Sequence, residues 1–117
     1  MRICLLIGAL NYLDIQSVDI GNSYLTDTCR EKIWTRAGPE FVQDEGKVSI
    51  IVMALYGLKS SGVTFRALLS ERLYDMVFKS SIAYTDAWIR SVTTADGDQY
   101  YKFILGYVDD IIAISKY

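Results

Sequence analysis

The chain has 117 residues, enough for one domain with a single core. Half of it is hydrophobic (51%), and 9 Tyr, 4 Phe and 2 Trp exclude a disordered or low-complexity class. A formal net charge of −2 excludes a global basic field, so a nucleic-acid partner would have to be met by a local patch. Cys4 and Cys29 match no zinc or redox spacing, and there is no His to complete a site, which makes a reduced intracellular setting the expectation.

The first stretch, Met1 to Ala9, is apolar after one Arg but is followed by Asn11 and Asp14 with no small-residue cleavage site, so it is not read as a signal. No apolar run approaches the ~18 residues that cross a bilayer, and no membrane partner is expected. Ile3, Leu6, Ala9/Leu10 and Leu13 keep helical spacing, which predicts a helix over Ile3–Leu13 packed on the domain through that stripe. Ile15 to Ile20 alternates and is predicted as a strand ending near Asp19. Gly21-Asn22-Ser23 then opens a short helical segment, with Asn22 or Ser23 as its cap.

Ile33-Trp34-Thr35 is a short strand closed by Gly38-Pro39-Glu40. The cluster Gln43 to Lys47 reads as a hairpin turn into Val48–Leu55, an eight-residue apolar strand candidate, and Tyr56 to Gly62 as a loop with glycines near its ends. Phe65, Leu68, Leu69, Leu73, Met76 and Val77 fall on one stripe, which predicts a helix over Val63–Phe78. Trp88–Val92 and Tyr100–Val108 read as strands joined at Ala95-Asp96-Gly97-Asp98, and Ile111–Ser115 as the last strand. Helices mixed with antiparallel hairpins predict an α+β fold.

The chemistry-bearing residues are carboxylates at strand ends. Asp109-Asp110 form a polar break between two apolar runs and are predicted at the bend of a hairpin, where adjacent negative charges repel unless a cation lies between them. Hard oxygen ligands suit Mg2+ or Mn2+; a solvated Asp-Asp turn is the plain alternative. Asp19 is far away in sequence. If its strand lies beside the terminal hairpin, three carboxylates converge on one sheet edge, an arrangement suited to two divalent ions in phosphoryl transfer.

Three blocks occur in order: Val18-Asp19-Ile20-Gly21-Asn22-Ser23-Tyr24-Leu25, then Ala54-Leu55-Tyr56-Gly57-Leu58-Lys59-Ser60-Ser61-Gly62, then Tyr107-Val108-Asp109-Asp110. Together they resemble the reverse transcriptase of Ty1/copia-type (Pseudoviridae) LTR retrotransposons, over nearly the whole chain. The resemblance implies a polymerase palm, an antiparallel sheet with helices packed on one face. It implies that residues 1–117 are a partial domain, the palm with part of the fingers, without the rest of the fingers, the thumb or RNase H.

By the same resemblance Asp19, Asp109 and Asp110 are catalytic and ligate two Mg2+ (or Mn2+) ions that activate a primer 3′-hydroxyl against a dNTP. Amides of Gly21, Asn22 and Ser23 would meet the triphosphate, as successive N–H groups can form an anion nest. Tyr24 matches the aromatic that excludes a ribose 2′-hydroxyl, Tyr107 would touch primer or dNTP, and Gly57 and Lys59 would face template or dNTP phosphate. A packed Tyr24 and a solvated Lys59 are the plain alternatives.

The implied partners are an RNA or DNA template-primer, dNTP and the remaining polyprotein domains, and the implied location is cytoplasmic, in a virus-like particle for an active element. Ala83-Tyr84-Thr85-Asp86-Ala87-Trp88 departs from the family's usual segment by lacking a Pro and one Asp. A near-neutral chain offers little grip on a template. That leaves a non-catalytic remnant of a transposable element, with at most weak divalent-ion or protein binding, as the second reading. An RNA-binding sheet, hinted at only by Tyr100-Tyr101, is the third.

Overall fold

A computed structural model describes residues 2–116. In chain order its elements are α1 (Arg2–Leu10), β1 (Asp14–Asp19), β2 (Trp34–Arg36), β3 (Val48–Ile50), α2 (Lys59–Asp75), β4 (Lys79–Ser80), β5 (Ala87–Thr93), β6 (Gln99–Tyr107) and β7 (Asp110–Ser115), with short 3-10 helices at Ser23–Thr26 and Pro39–Asp44. This is the α+β class expected. The chain divides into two units, one holding the described residues up to Gly21 and from Leu69 onward, the other Asn22–Leu68, so the boundary falls inside α2.

The first unit is built on a five-stranded sheet of order β1-β7-β6-β5-β4, antiparallel at every pairing. The strands alternate in the sequence because successive side chains point to opposite faces, and the register shows what each face buries. Ile89, Phe103 and Ile114 share one face, and with Leu13, Ala87 and Leu105 they form a core joined by Cys4, Leu5 and Ile7 of α1. Trp88 and Ile104 lie on the other face and pack with Phe78 and with Leu69 and Leu73 of α2. Helices therefore cover opposite faces of the sheet, not one. The reason is the parity of β5 and β6, which are apolar on both sides and need a layer on each.

The stripe on α1 also differs from expectation. Ile3, Leu6 and Leu10 are exposed, whereas Cys4, Leu5, Ile7 and Gly8 face the sheet. A helix that is apolar all round gives no spacing signal for which side packs, and Gly8 decides it. A Cβ there would stand 2.9 Å from Ile114 Cγ2, so only glycine lets the helix approach this closely. Leu105 and Ile114, 1% and 0% exposed, anchor that contact, each contributing about 1.5–3 kcal/mol by burial.

Both helices end the same way. Leu13 N–H donates to Gly8 O (2.9 Å) and Tyr12 N–H to Ala9 O (3.3 Å); Phe78 N–H donates to Leu73 O (2.9 Å) and Val77 N–H to Tyr74 O (2.9 Å). These are Schellman pairs whose left-handed residue is usually Gly, yet here it is Tyr12 (φ 53°) and Val77 (φ 64°). The second carries its hydrophobic contact, Phe78 against Leu73, inside the α2-side core. α2 thus stops at Asp75 and starts at Lys59, four residues before its expected start, so Lys59 to Gly62 are helix and not loop. β4 was not anticipated; it is two residues long and pairs Lys79 with Ile89.

The second unit holds the pair β2–β3, with Trp34 opposite Ile50 and Arg36 opposite Val48. The expected eight-residue strand Val48–Leu55 is regular only over Val48–Ile50, and Val48, Ile50 and Val52 are exposed. Pairing continues irregularly, through Ile51 N–H to Ile33 O (3.0 Å), Cys29 N–H to Val52 O (2.8 Å) and Ala54 N–H to Asp27 O (3.0 Å), while charged Arg30-Glu31-Lys32 leaves the ladder between Ile33 and Cys29. Among the described residues no helix is long and apolar enough to cross a membrane.

Two substitutions should move stability in opposite directions. Gly8→Ala forces α1 off Ile114 and should cost about 1–3 kcal/mol, whereas Val77→Gly removes left-handed strain and should gain about 0.5–1 kcal/mol after the added chain entropy of glycine. Urea denaturation of the three proteins measures both.

Candidate functional site

The end of the β1–β7–β6 ladder gathers the chain's paired acids. Asp19 is the register partner of Asp110, and Asp110 is the closing partner of Tyr107. Directly opposed residues share a face, so Asp19, Asp110 and Tyr107 form one row at the sheet's end, on the face that α1 covers two rows away at Ile15–Ile114–Phe103. All three are exposed. The strand carrying Asp19 does lie beside the terminal hairpin.

The hairpin bend is offset by one residue from expectation. Its loop is Val108-Asp109, and Asp110 already belongs to β7. Val108 has φ 58° whereas Asp109 is not left-handed, the sign pattern of a II′ turn, in which Gly normally takes the first loop position. A β-branched residue there is a steric outlier costing about 1–3 kcal/mol. It is held by ladders on both sides and by Ile20 N–H, which donates to Asp109 O at 2.9 Å. That bond ties the residue after Asp19 to the turn, so the backbones of Asp19, Asp109 and Asp110 converge at one corner.

The side chains do not complete a chelate. Among the described residues no group of three or more His, Cys, Asp or Glu could hold a metal ion. The donor set is nonetheless of hard carboxylate oxygens, the chemistry that suits Mg2+ or Mn2+. Asp109 is half-buried and has an interaction partner in the structure.

Past Asp19 the chain enters the 3-10 turn Ser23–Thr26, with Asn22 left-handed (φ 56°) at its N-cap and no side-chain cap bond. Among the described residues no backbone carbonyl accepts the amides of Gly21, Asn22 or Ser23. In the second unit Ser23 is fully buried, with Oγ 3.2 Å from the Tyr56 hydroxyl, and Tyr24 packs on Tyr56 and Phe65. Gly57 is left-handed (φ 92°) with open space where a Cβ would stand, and Lys59 is exposed in the first turn of α2. Sequence reasoning missed Tyr56, Phe65 and the buried Ser23 side chain; only the Leu55-Tyr56-Gly57 block hinted at the first. It also missed the strain at Val108, which no residue type there signals.

A family model described as "Reverse transcriptase (RNA-dependent DNA polymerase)", of the Ty1/copia type, matches residues 1–117. No curated protein and no solved structure matches significantly.

If the acid row is as close as the register makes it, Asp19 and Asp110 repel in metal-free solution. Asp110→Asn should then stabilise the fold by a few tenths to about 1 kcal/mol in excess chelator. An unchanged urea midpoint would mean that the two carboxylates do not face each other.

Proposed function

The chain belongs to the reverse transcriptase (RNA-dependent DNA polymerase) family, and from that premise we propose that it is the palm, with part of the fingers, of a Ty1/copia-type polymerase acting by nucleotidyl transfer to a primer 3′-hydroxyl. The observation that carries the reading is the opposition of Asp19 and Asp110 across β1–β7, with Asp109 in the adjoining turn.

In this reading Asp19, Asp109 and Asp110 hold the catalytic cations. Two Mg2+ or Mn2+ ions bound there would supply activation of the hydroxyl and neutralise charge on the dNTP α-phosphate. Tyr107, beside Asp110 on the same face, supports primer or dNTP. The amides of Gly21, Asn22 and Ser23 donate to the triphosphate, and Tyr24 closes the space that a ribose 2′-hydroxyl would need. Gly57 admits template or dNTP backbone closely, with Lys59 contacting phosphate. With a net charge of −2, grip on the template-primer falls to other parts of a polyprotein, and the chain alone is not expected to polymerise. The setting is cytoplasmic, within a virus-like particle if the element is active.

A non-catalytic remnant with at most weak divalent-ion or protein binding is the second reading, favoured by the absence of a metal-holding group of three or more His, Cys, Asp or Glu among the described residues. Mn2+ titration separates the two. Calorimetry and paramagnetic broadening should show saturable binding centred on residues 18–20 and 107–111, weakened at least about tenfold in Asp110→Asn and Asp19→Asn, since each removes a charged ligand. A folded wild-type chain that binds no Mn2+, with dNTP present or absent, overturns the polymerase-site reading.

A further inference from the structure

The aromatic cluster of the second unit contains more than a polymerase pocket needs from one gate residue. Tyr24 and Tyr56 have ring centroids 4.5 Å apart at 39°, and Tyr24 meets Phe65 edge-on at 5.9 Å and 65°. Phe65 is buried on α2 and so is a fixed wall. Tyr56 is 52% exposed, on the irregular segment before α2. Its hydroxyl lies 3.2 Å from Oγ of the fully buried Ser23, which ties the ring's tip to the 3-10 turn. At the far end of the Tyr24 ring, a Cβ on Gly62 would stand 3.6 Å from the hydroxyl, so the backbone of α2 bounds the ring's tip.

We propose that Tyr56 is a positioning residue for sugar discrimination: pinned by Ser23, it fixes the plane of the Tyr24 ring. The proposal rests on the reading of Tyr24 as the ribose gate. Rejecting a nucleotide that differs by one hydroxyl means placing a clash where that oxygen would go, and a clash works only if the ring is held within about 0.5 Å and 10–20°. Phe65 touches Tyr24 edge-on and leaves rotation about the Cβ–ring bond open, a torsion with a broad well. A second ring against the first closes that freedom. An aromatic pair of this kind biases one orientation by about two- to tenfold.

The test uses the whole chain and the variants Tyr24→Ala, Tyr56→Ala, Tyr56→Phe and Ser23→Ala. One readout is NMR: nuclear Overhauser contacts from the Tyr24 ring to Phe65 and to the Gly62 α-protons. The other is the ratio of Mg2+-dATP to Mg2+-ATP affinity by calorimetry, with tripolyphosphate as the sugarless control. Tyr56→Ala should lose the Tyr24 contacts and lower the dATP preference about two- to tenfold, leaving tripolyphosphate binding unchanged. Tyr56→Phe, which keeps the ring, should retain most of both, and Ser23→Ala should fall between. If Tyr56→Ala unfolds the chain, Tyr56→Leu takes its place.

Retained Tyr24 contacts in Tyr56→Ala overturn the inference. So does an unchanged dATP preference in that variant where Tyr24→Ala abolishes it. Failure of the gate itself looks different: Tyr24→Ala leaves the preference intact, or neither nucleotide binds, and the sugar role of Tyr56 falls with it.

Discussion

The opposition of two carboxylates across an antiparallel ladder is the constraint on which this chain turns. Asp19 and Asp110 are held in register by a six-residue pairing of β1 with β7, and β7 is held in turn by β6 through a two-residue loop. Slipping β1 by one residue along β7 would turn Ile15, which lies beside Gly8 of α1, to the opposite face and take Asp19 off its place opposite Asp110. Burial of apolar side chains therefore fixes the position of charges that repel. The stability contributed by Phe103, Leu105 and Ile114 outweighs the modest repulsion between two exposed acids. The same packing tolerates a left-handed valine in the loop between them.

Strain of that kind recurs where the chain reverses. Tyr12, Asn22, Val42, Val77 and Val108 have positive φ without being glycine. Two of them end helices and are over-determined by paired amide bonds and a buried neighbour. Asn22 is the cheap one, since its short polar side chain suits that conformation. Val108 differs because no helix end requires it; it stands next to the acid row, where stored strain and function tend to coincide.

The terminal hairpin and its acids were legible because two apolar runs around a short polar break have few other folds. The pairing of β1 with β7, by contrast, is not legible in the sequence, since nothing local encodes a contact between residues so far apart. The face of α1 was misread: Ile3, Leu6 and Leu10 keep perfect spacing but point outward, because Gly8 and its close approach to Ile114 select the other side. Val48–Leu55 looked like one strand by composition, yet its partner segment carries Arg30-Glu31-Lys32, which leaves the ladder after three pairs. The last bend is offset by one residue from its polar pair, because the ladder closes on Tyr107 and Asp110 and leaves Val108 in the loop.

The central claim, that Asp19 and Asp110 face each other and are built to share a cation, is tested most directly by a double-mutant cycle on stability. Asp19→Asn, Asp110→Asn and the pair are unfolded in urea, once in chelator and once in saturating Mn2+. The account predicts an unfavourable coupling between the two carboxylates in chelator, a few tenths to about 1 kcal/mol, which reverses sign when Mn2+ is present. Coupling indistinguishable from zero in both conditions would contradict it.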